Sequence, residues 1–188
     1  MTRMAKKLTK KQLENHLQHL EKKELLAEVS KLFTRVEQVR EYYQMEFGGK
    51  AEREKVLADY KKQIRSQFYS SRSASPRMPK AAELRKIINA FKKVAVVQYD
   101  VVDLMLYRVE TAVEFTNDFG DIDQSFYQST IKTYCDALQL IDKEKLHSYF
   151  NDRCGQIVDD ASGIGWGFYD TLWEFFHFYF PDEESDEA

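Results

Sequence analysis

The sequence contains two Glu-x-x-His pairs, and this spacing suits metal binding. Glu144 and His147 form one pair, and Glu174 and His177 form the other. In di-metal carboxylate bundles, two such pairs face one interior point, and glutamates from two further helices complete the site. Glu144 lies near a predicted helix junction, so the two pairs are not placed equivalently along the chain. A metal-dependent enzyme is therefore only an alternative hypothesis, and we assign no catalytic, metal-binding or cofactor-binding residue.

A stripe of acidic side chains runs along the segment from Tyr99 to Phe119. Its polar residues recur at steps of three or four, which places them on one face of a helix. They are Asp100, Asp103, Tyr107, Glu110, Glu114 and Asp118. Closely spaced carboxylates attract positive charge, so Asp103, Glu110 and Glu114 suit a cleft that binds a cation or a basic peptide. The alternative interpretation is structural: the stripe is the solvent edge of the helix, or it pairs with lysines and arginines elsewhere.

A basic region covers residues 50–93, with 13 lysines and arginines against four acidic residues. Such a region suits a phosphate backbone, because each neutralised phosphate releases condensed counterions. The predicted nucleic-acid contacts are Lys61, Lys62, Arg65, Arg72, Arg77, Arg85 and Lys86. Arg72 and Arg77 fall in a predicted exposed loop over residues 69–79. The alternative is that these charges are solvated or pair with the acidic half of the same chain.

The charge of the chain is divided between its two halves. Residues 1–93 carry a formal charge of +12, and residues 94–188 carry −15. This asymmetry favours attraction between the halves, within one molecule or between two copies, or an acidic partner for the basic half.

The last predicted helix, residues 168–179, is apolar almost all round. A terminal helix rarely finds enough neighbours in a monomer to cover every side. Trp173, Phe176 and Tyr179 are therefore predicted to contact a protein partner or a second copy of the chain.

The elements that carry these side chains are predicted to be helices throughout. The chain holds seven glycines and three prolines, and apolar residues recur at helical spacing between them. The predicted helices cover residues 9–20, 22–47, 50–68, 80–97, 99–119, 124–143, 145–160 and 168–179. The expected fold is all-α, an irregular multi-helix bundle or short solenoid of antiparallel helices. About seven or eight helices surround a central buried helix near residues 99–119.

Length and composition set the remaining expectations. Residues 1–180 are expected to form a single helical domain, and residues 181–188 an acidic disordered tail. Cys135 and Cys154 lack metal-type spacing and are expected to be buried thiols of a reducing compartment. The N-terminus lacks a signal-peptide pattern, and no segment has the roughly 18 uninterrupted apolar residues of a membrane span. We therefore expect a cytoplasmic protein without a membrane partner.

Four segments together carry a resemblance that spans almost the whole chain. They read LTKKQLENHL, VREYY, DLMLYRVETAVEFTNDFGDID and SGIGWGFYD. In these segments the sequence resembles an uncharacterised family of small bacterial all-helical proteins that has no assigned function. The resemblance implies an all-helical fold and a bacterial, intracellular setting. It implies no catalytic or binding residue.

The sequence thus assigns no function. The leading hypothesis is a non-enzymatic cytoplasmic protein that acts through protein–protein interaction or self-association. Nucleic-acid binding through residues 50–93 and a metal-dependent enzyme are the alternatives.

Overall fold

The computed structural model describes residues 8–69 and 78–181 of the chain. Within these ranges the backbone forms nine α-helices and no strands. They are α1 (Lys10–Leu17), α2 (Lys22–Arg35), α3 (Glu37–Phe47), α4 (Gly49–Phe68), α5 (Ala81–Val94), α6 (Gln98–Phe119), α7 (Gln124–Glu144), α8 (His147–Asp160) and α9 (Phe168–Tyr179). The all-α prediction is confirmed. Residues 182–188 of the predicted tail and residues 70–77 of the predicted loop lie outside the described residues.

The segment predicted as one helix over residues 22–47 is two helices, which raises the count above the seven or eight expected. The break falls at Val36, whose backbone is extended with φ −117° and ψ 108°. The N–H of Val36 donates to the carbonyl of Leu32 and ends α2, while its own carbonyl accepts from Arg40 and begins α3. Val36 therefore closes one helix and opens the next.

Helix α6 is the centre of the fold. It packs against α4, α5, α7 and α8, and most of its side chains are buried. Val102, Leu106 and Val109 are fully enclosed, as the apolar positions of the sequence predict. Gly120 ends the helix with φ +85°, a backbone conformation that glycine adopts at low cost.

The remaining helices are arranged on either side of this centre. Helix α9 packs against α7 and α8, and α3 packs against α4 and α5. Local sequence fixes several of the helix starts. Thr9 and Gln12 form the predicted capping box of α1, and the Asp123 side chain accepts from the Phe126 N–H at 2.9 Å to start α7.

Within the described ranges, no helix is both long enough and apolar enough to cross a membrane.

Candidate functional site

The acidic stripe of α6 meets basic side chains from α4 and α8. Lys61 on α4 donates to both carboxylate oxygens of Asp103, at 2.8 and 2.9 Å. Arg153 on α8 reaches the same Asp103 at 2.6 Å. Arg53 approaches Asp100 at 3.3 Å further along the helix. These contacts match the interpretation of the stripe as an internal partner for lysines and arginines.

Arg153 joins two carboxylates of the stripe. Its guanidinium donates to Glu110 at 2.5 and 3.0 Å, in addition to its contact with Asp103. Burial alone would lower the pKa of Arg153, but the hydrogen bonds and charges of Glu110 and Asp103 outweigh it and raise that pKa. A buried guanidinium with two carboxylate partners is electrostatically satisfied.

Arg65 and Glu114 form a bidentate pair at the edge of the same stripe. The two hydrogen bonds are both 2.8 Å, and the hydrogen bond from Arg65 lowers the pKa of Glu114. At the end of the stripe, the Tyr69 hydroxyl donates to Asp118 at 2.9 Å. The first and second halves of the chain therefore attract each other through α4 and α6.

The predicted nucleic-acid contacts fall into four groups. Lys61 and Arg65 engage the carboxylates of α6, as described above. Lys62 and Lys86 are exposed and pair with Asp59 and Glu83 within their own helices, at 2.9 and 2.8 Å. Arg85 lies on α5 at a cavity that also contacts α6 and α7. Arg72 and Arg77 lie outside the described residues.

The predicted protein contacts on α9 differ in exposure. One side of the helix is covered, since Phe168 and Leu172 are buried. Trp173 is 45% exposed and stacks on His177, with the ring centroids 4.0 Å apart. Phe176 and Tyr179 are half-buried. An interface formed by these three residues stays a prediction, and Trp173 is its most accessible member.

The two Glu-x-x-His pairs are placed differently in the fold, since one is divided between two helices and the other lies on one helix. Glu144 ends α7, whereas His147 begins α8 and approaches Asp142 at 3.5 Å. Glu174 and His177 both lie on α9. Among the residues described, no group of three or more His, Cys, Asp or Glu side chains is arranged to hold a metal ion.

Helix α2 carries an apolar surface that the described part of the chain leaves open. Its amphipathic pattern is that of a core helix, yet α2 buries no residue against the rest of the described chain. Its apolar face consists of Leu26, Val29, Leu32, Phe33 and Val36, which are between 38% and 58% exposed. The helix packs mainly against α3, where Phe33 and Tyr43 meet with their ring centroids 6.2 Å apart. Contiguous exposed apolar faces of this kind mark interaction sites.

A charged stripe runs beside the apolar face of α2. It consists of Glu24, Glu28, Lys31 and Arg35, at steps of four, three and four. Both acids lie in the first half of the helix and both bases in the second. Glu28 and Lys31 approach each other at 3.3 Å within the helix.

The sequence shows the apolar positions of α2 but not what covers them. Their periodicity is the same whether a helix is buried by its own chain or by a partner, so the pattern alone does not distinguish the two. The polar composition of neighbouring α1, KKQLENHL, was the available signal, because such a helix offers little apolar surface to cover α2.

The fold and these surfaces define an all-helical protein whose acidic α6 pairs with basic side chains of α4 and α8, and whose α2 lacks a covering partner among the residues described. Comparison with known families shows that the chain belongs to a family of unknown function, DUF6155, whose model matches residues 8–176. No curated protein and no solved structure matches the chain.

Proposed function

We propose that this protein is a non-enzymatic binding protein that self-associates through the apolar face of α2. The observation that carries the proposal is that an amphipathic helix of 14 residues buries none of its apolar side chains among the described residues. In a folded chain such a face loses the favourable free energy of burial, about 25 cal/mol per Å² of apolar surface. A second copy of the chain recovers that free energy.

The charge pattern of α2 favours a second copy in antiparallel orientation. Two antiparallel copies bring Glu24 and Glu28 of one helix beside Lys31 and Arg35 of the other. The same pairs then form twice, once on each side of a two-fold axis, as a symmetric dimer requires. In a parallel two-fold pair the two stripes would lie on opposite sides of the helix pair and would not meet. The stripe is therefore self-complementary in the antiparallel arrangement only.

The contact is small, so the dimer is expected to be weak. A single helix pair buries less surface than the roughly 1,200 to 2,000 Å² of a standard stable interface. We expect a dissociation constant in the range of about 1 to 100 µM. Self-association at that strength responds to protein concentration, which suits a domain that assembles reversibly.

The experiment is sedimentation velocity of the wild type, Val29→Glu and Ala27→Glu across this concentration range. Val29 lies in the apolar face, whereas Ala27 lies on the opposite, exposed side of α2. Val29→Glu is expected to weaken the dimer about a hundredfold, because each copy loses about 1.5 kcal/mol of burial. Ala27→Glu adds the same charge and should leave the dimer intact. A wild type that stays monomeric throughout, or an equal loss in both variants, contradicts the proposal.

Nucleic-acid binding through residues 50–93 has less support. Lys61 and Arg65 already pair with the α6 carboxylates, and freeing them would leave Asp103 and Glu114 without those partners. A titration of labelled RNA and DNA at two salt concentrations tests this alternative, since phosphate contacts weaken steeply with salt.

Two further expectations belong to the proposal. Residues 1–180 act as one domain, which is supported by the packing of four helices around α6. A cytoplasmic setting is supported by the free thiols of Cys135 and Cys154. Burial raises the pKa of the Cys154 thiol to about 12, so this side chain is an inert part of the core.

A further inference from the structure

A cavity of about 460 Å³ lies between α5, α6 and α7. This volume is within the range of small-molecule sites in proteins, roughly 300 to 1,000 Å³. The cavity is far in sequence from α2, and self-association does not use it. Its lining is rich in lysine and arginine side chains.

Positive charge dominates the lining. Arg85 and Lys92 come from α5, Arg108 from α6 and Lys132 from α7. The lining holds a single carboxylate, Asp136, which pairs with Lys132 at 3.1 Å. Residues 94–188 contain only five lysines and arginines against 20 acids, and two of those five line this cavity. A concentration of cations in the acidic half of the chain favours an anionic ligand.

Arg108 is the deepest of these cations, with 3% of its surface exposed. Its guanidinium donates to the Ser129 carbonyl at 2.8 Å, to the Ser129 hydroxyl at 2.9 Å and to the Thr133 hydroxyl. All three acceptors are neutral. Two of its five N–H donors, on Nε and Nη2, have no acceptor within the described chain.

The charge of Arg108 is not compensated by a carboxylate partner among the residues that the structure describes. Burial, together with the neighbouring charge of Arg85, lowers the pKa of Arg108 to about 10, against a smaller opposing effect of Asp136. The charge of Arg153, by contrast, is compensated, because this partly buried side chain donates hydrogen bonds to two carboxylates. Burying an unpaired charge costs several kcal/mol. An anion in the cavity would offset that cost at Arg108.

The rest of the lining suits an anion with an organic group attached. Ser125, Gln128 and Asn89 supply neutral hydrogen-bonding groups at the cavity. Ile88 and Met105 supply an apolar wall. The cavity is larger than a bare phosphate ion requires, and the planar guanidinium forks of Arg85 and Arg108 match the oxygens of a phosphate.

We propose that this cavity binds a small phosphate monoester, with the phosphate held by Arg85 and Arg108 and the organic group against Ile88 and Met105. Lys92 and Lys132 add to the positive potential around the phosphate. The shared chemistry is a terminal phosphate dianion, which distinguishes this ligand from a nucleic-acid backbone of internal phosphodiesters.

The experiment is isothermal titration calorimetry with phenyl phosphate as the probe, at constant ionic strength. Inorganic phosphate, benzoate and a short oligonucleotide without terminal phosphates are titrated in parallel. We expect phenyl phosphate to bind most tightly, and Arg85→Gln to weaken it about tenfold through the loss of a charged hydrogen bond. Lys86→Gln is the matched control, because Lys86 is the next residue, is exposed and pairs with Glu83. It should leave the affinity unchanged.

Arg108→Met completes the test. It removes the buried charge with little change of length, and it should abolish binding of phenyl phosphate. If this variant fails to fold, the affinities of Arg85→Gln and Lys86→Gln for phenyl phosphate are compared instead. Absence of binding to the wild type, or an affinity unchanged in both Arg85→Gln and Arg108→Met, overturns the proposal. Benzoate or the oligonucleotide binding as tightly as phenyl phosphate overturns the preference for a monoester. Val29→Glu should bind phenyl phosphate normally, so this test and that of self-association are independent.

Discussion

At the scale of single residues, the buried Arg108 and the partly buried Arg153 differ in how their charges are compensated. Arg153 lies between Asp103 and Glu110, and its charge is balanced by theirs. Arg108 is more deeply buried and bonds only to neutral oxygens of Ser129 and Thr133. A buried charge without a counterion destabilises the folded protein. An anionic ligand at Arg108 would supply the missing counterion.

Replacing each arginine with methionine should have opposite effects on the free energy of unfolding without ligand. Arg153→Met leaves Glu110 without its partner and is expected to cost about 2 kcal/mol, below the value for a fully buried pair because the side chain is 28% exposed. Arg108→Met removes an uncompensated charge and should be neutral or stabilising. Urea unfolding curves measure both, with the exposed Lys62→Met as the control. A loss of 2 kcal/mol or more in Arg108→Met would contradict this account of its charge.

The sequence predicted the carboxylates of α6 that take part in these contacts, but it did not identify Arg153 or Arg108. Asp103, Glu110 and Glu114 are separated by seven and four residues, which places them on one face of α6, as the structure has them. Arg153, the partner of Asp103 and Glu110, is 50 and 43 residues further along, and only tertiary packing brings it there. Arg108 left a signal, since it is the one basic residue of α6 and lies among buried positions.

At the scale of elements, the helices that pack on α6 were predictable, and the break between α2 and α3 was not. The predicted last helix, residues 168–179, matches α9 at both ends, because Gly167 precedes it and its apolar residues follow a regular spacing. No glycine or proline marks the break at Val36. Helix α3 instead follows the direction set by its packing on α4 and α5, where Met45 is buried. Such a tertiary effect has no local signature.

Lys145 offers a test of element geometry at the end of α7. It has left-handed backbone angles, φ 57° and ψ 46°, and the following Leu146 N–H donates to the Ile141 carbonyl. Glycine adopts these angles without strain, so Lys145→Gly should stabilise the protein by about 0.5 to 1 kcal/mol.

Lys143→Gly is the matched control, two residues earlier and still inside α7. There glycine should destabilise the helix by about 0.5 to 1 kcal/mol. Thermal and urea unfolding of both variants check the signs. Destabilisation of the same size at both positions would mean that Lys145 does not hold the left-handed conformation.

At the scale of the whole molecule, the opposite charges of the two halves meet between α4 and α6. Basic α4 lies against acidic α6, and Lys61 and Arg65 make the contacts. This pairing accounts for part of the asymmetry between +12 and −15. Two features are left over: the cations around Arg108 and the open apolar face of α2. The first fits a small anionic ligand, and the second fits another copy of the chain.

The measurement that tests self-association most directly is sedimentation equilibrium of charge-inverted α2 variants. Glu24→Lys with Glu28→Lys makes the stripe wholly basic, so an antiparallel pair changes from attraction to repulsion. We expect the dissociation constant of the dimer to rise at least about tenfold. Adding Lys31→Glu and Arg35→Glu inverts all four charges and should restore the wild-type value. An unchanged dissociation constant in the Glu24→Lys, Glu28→Lys variant would contradict antiparallel association through α2. So would a four-site variant whose dissociation constant does not return to the wild-type value.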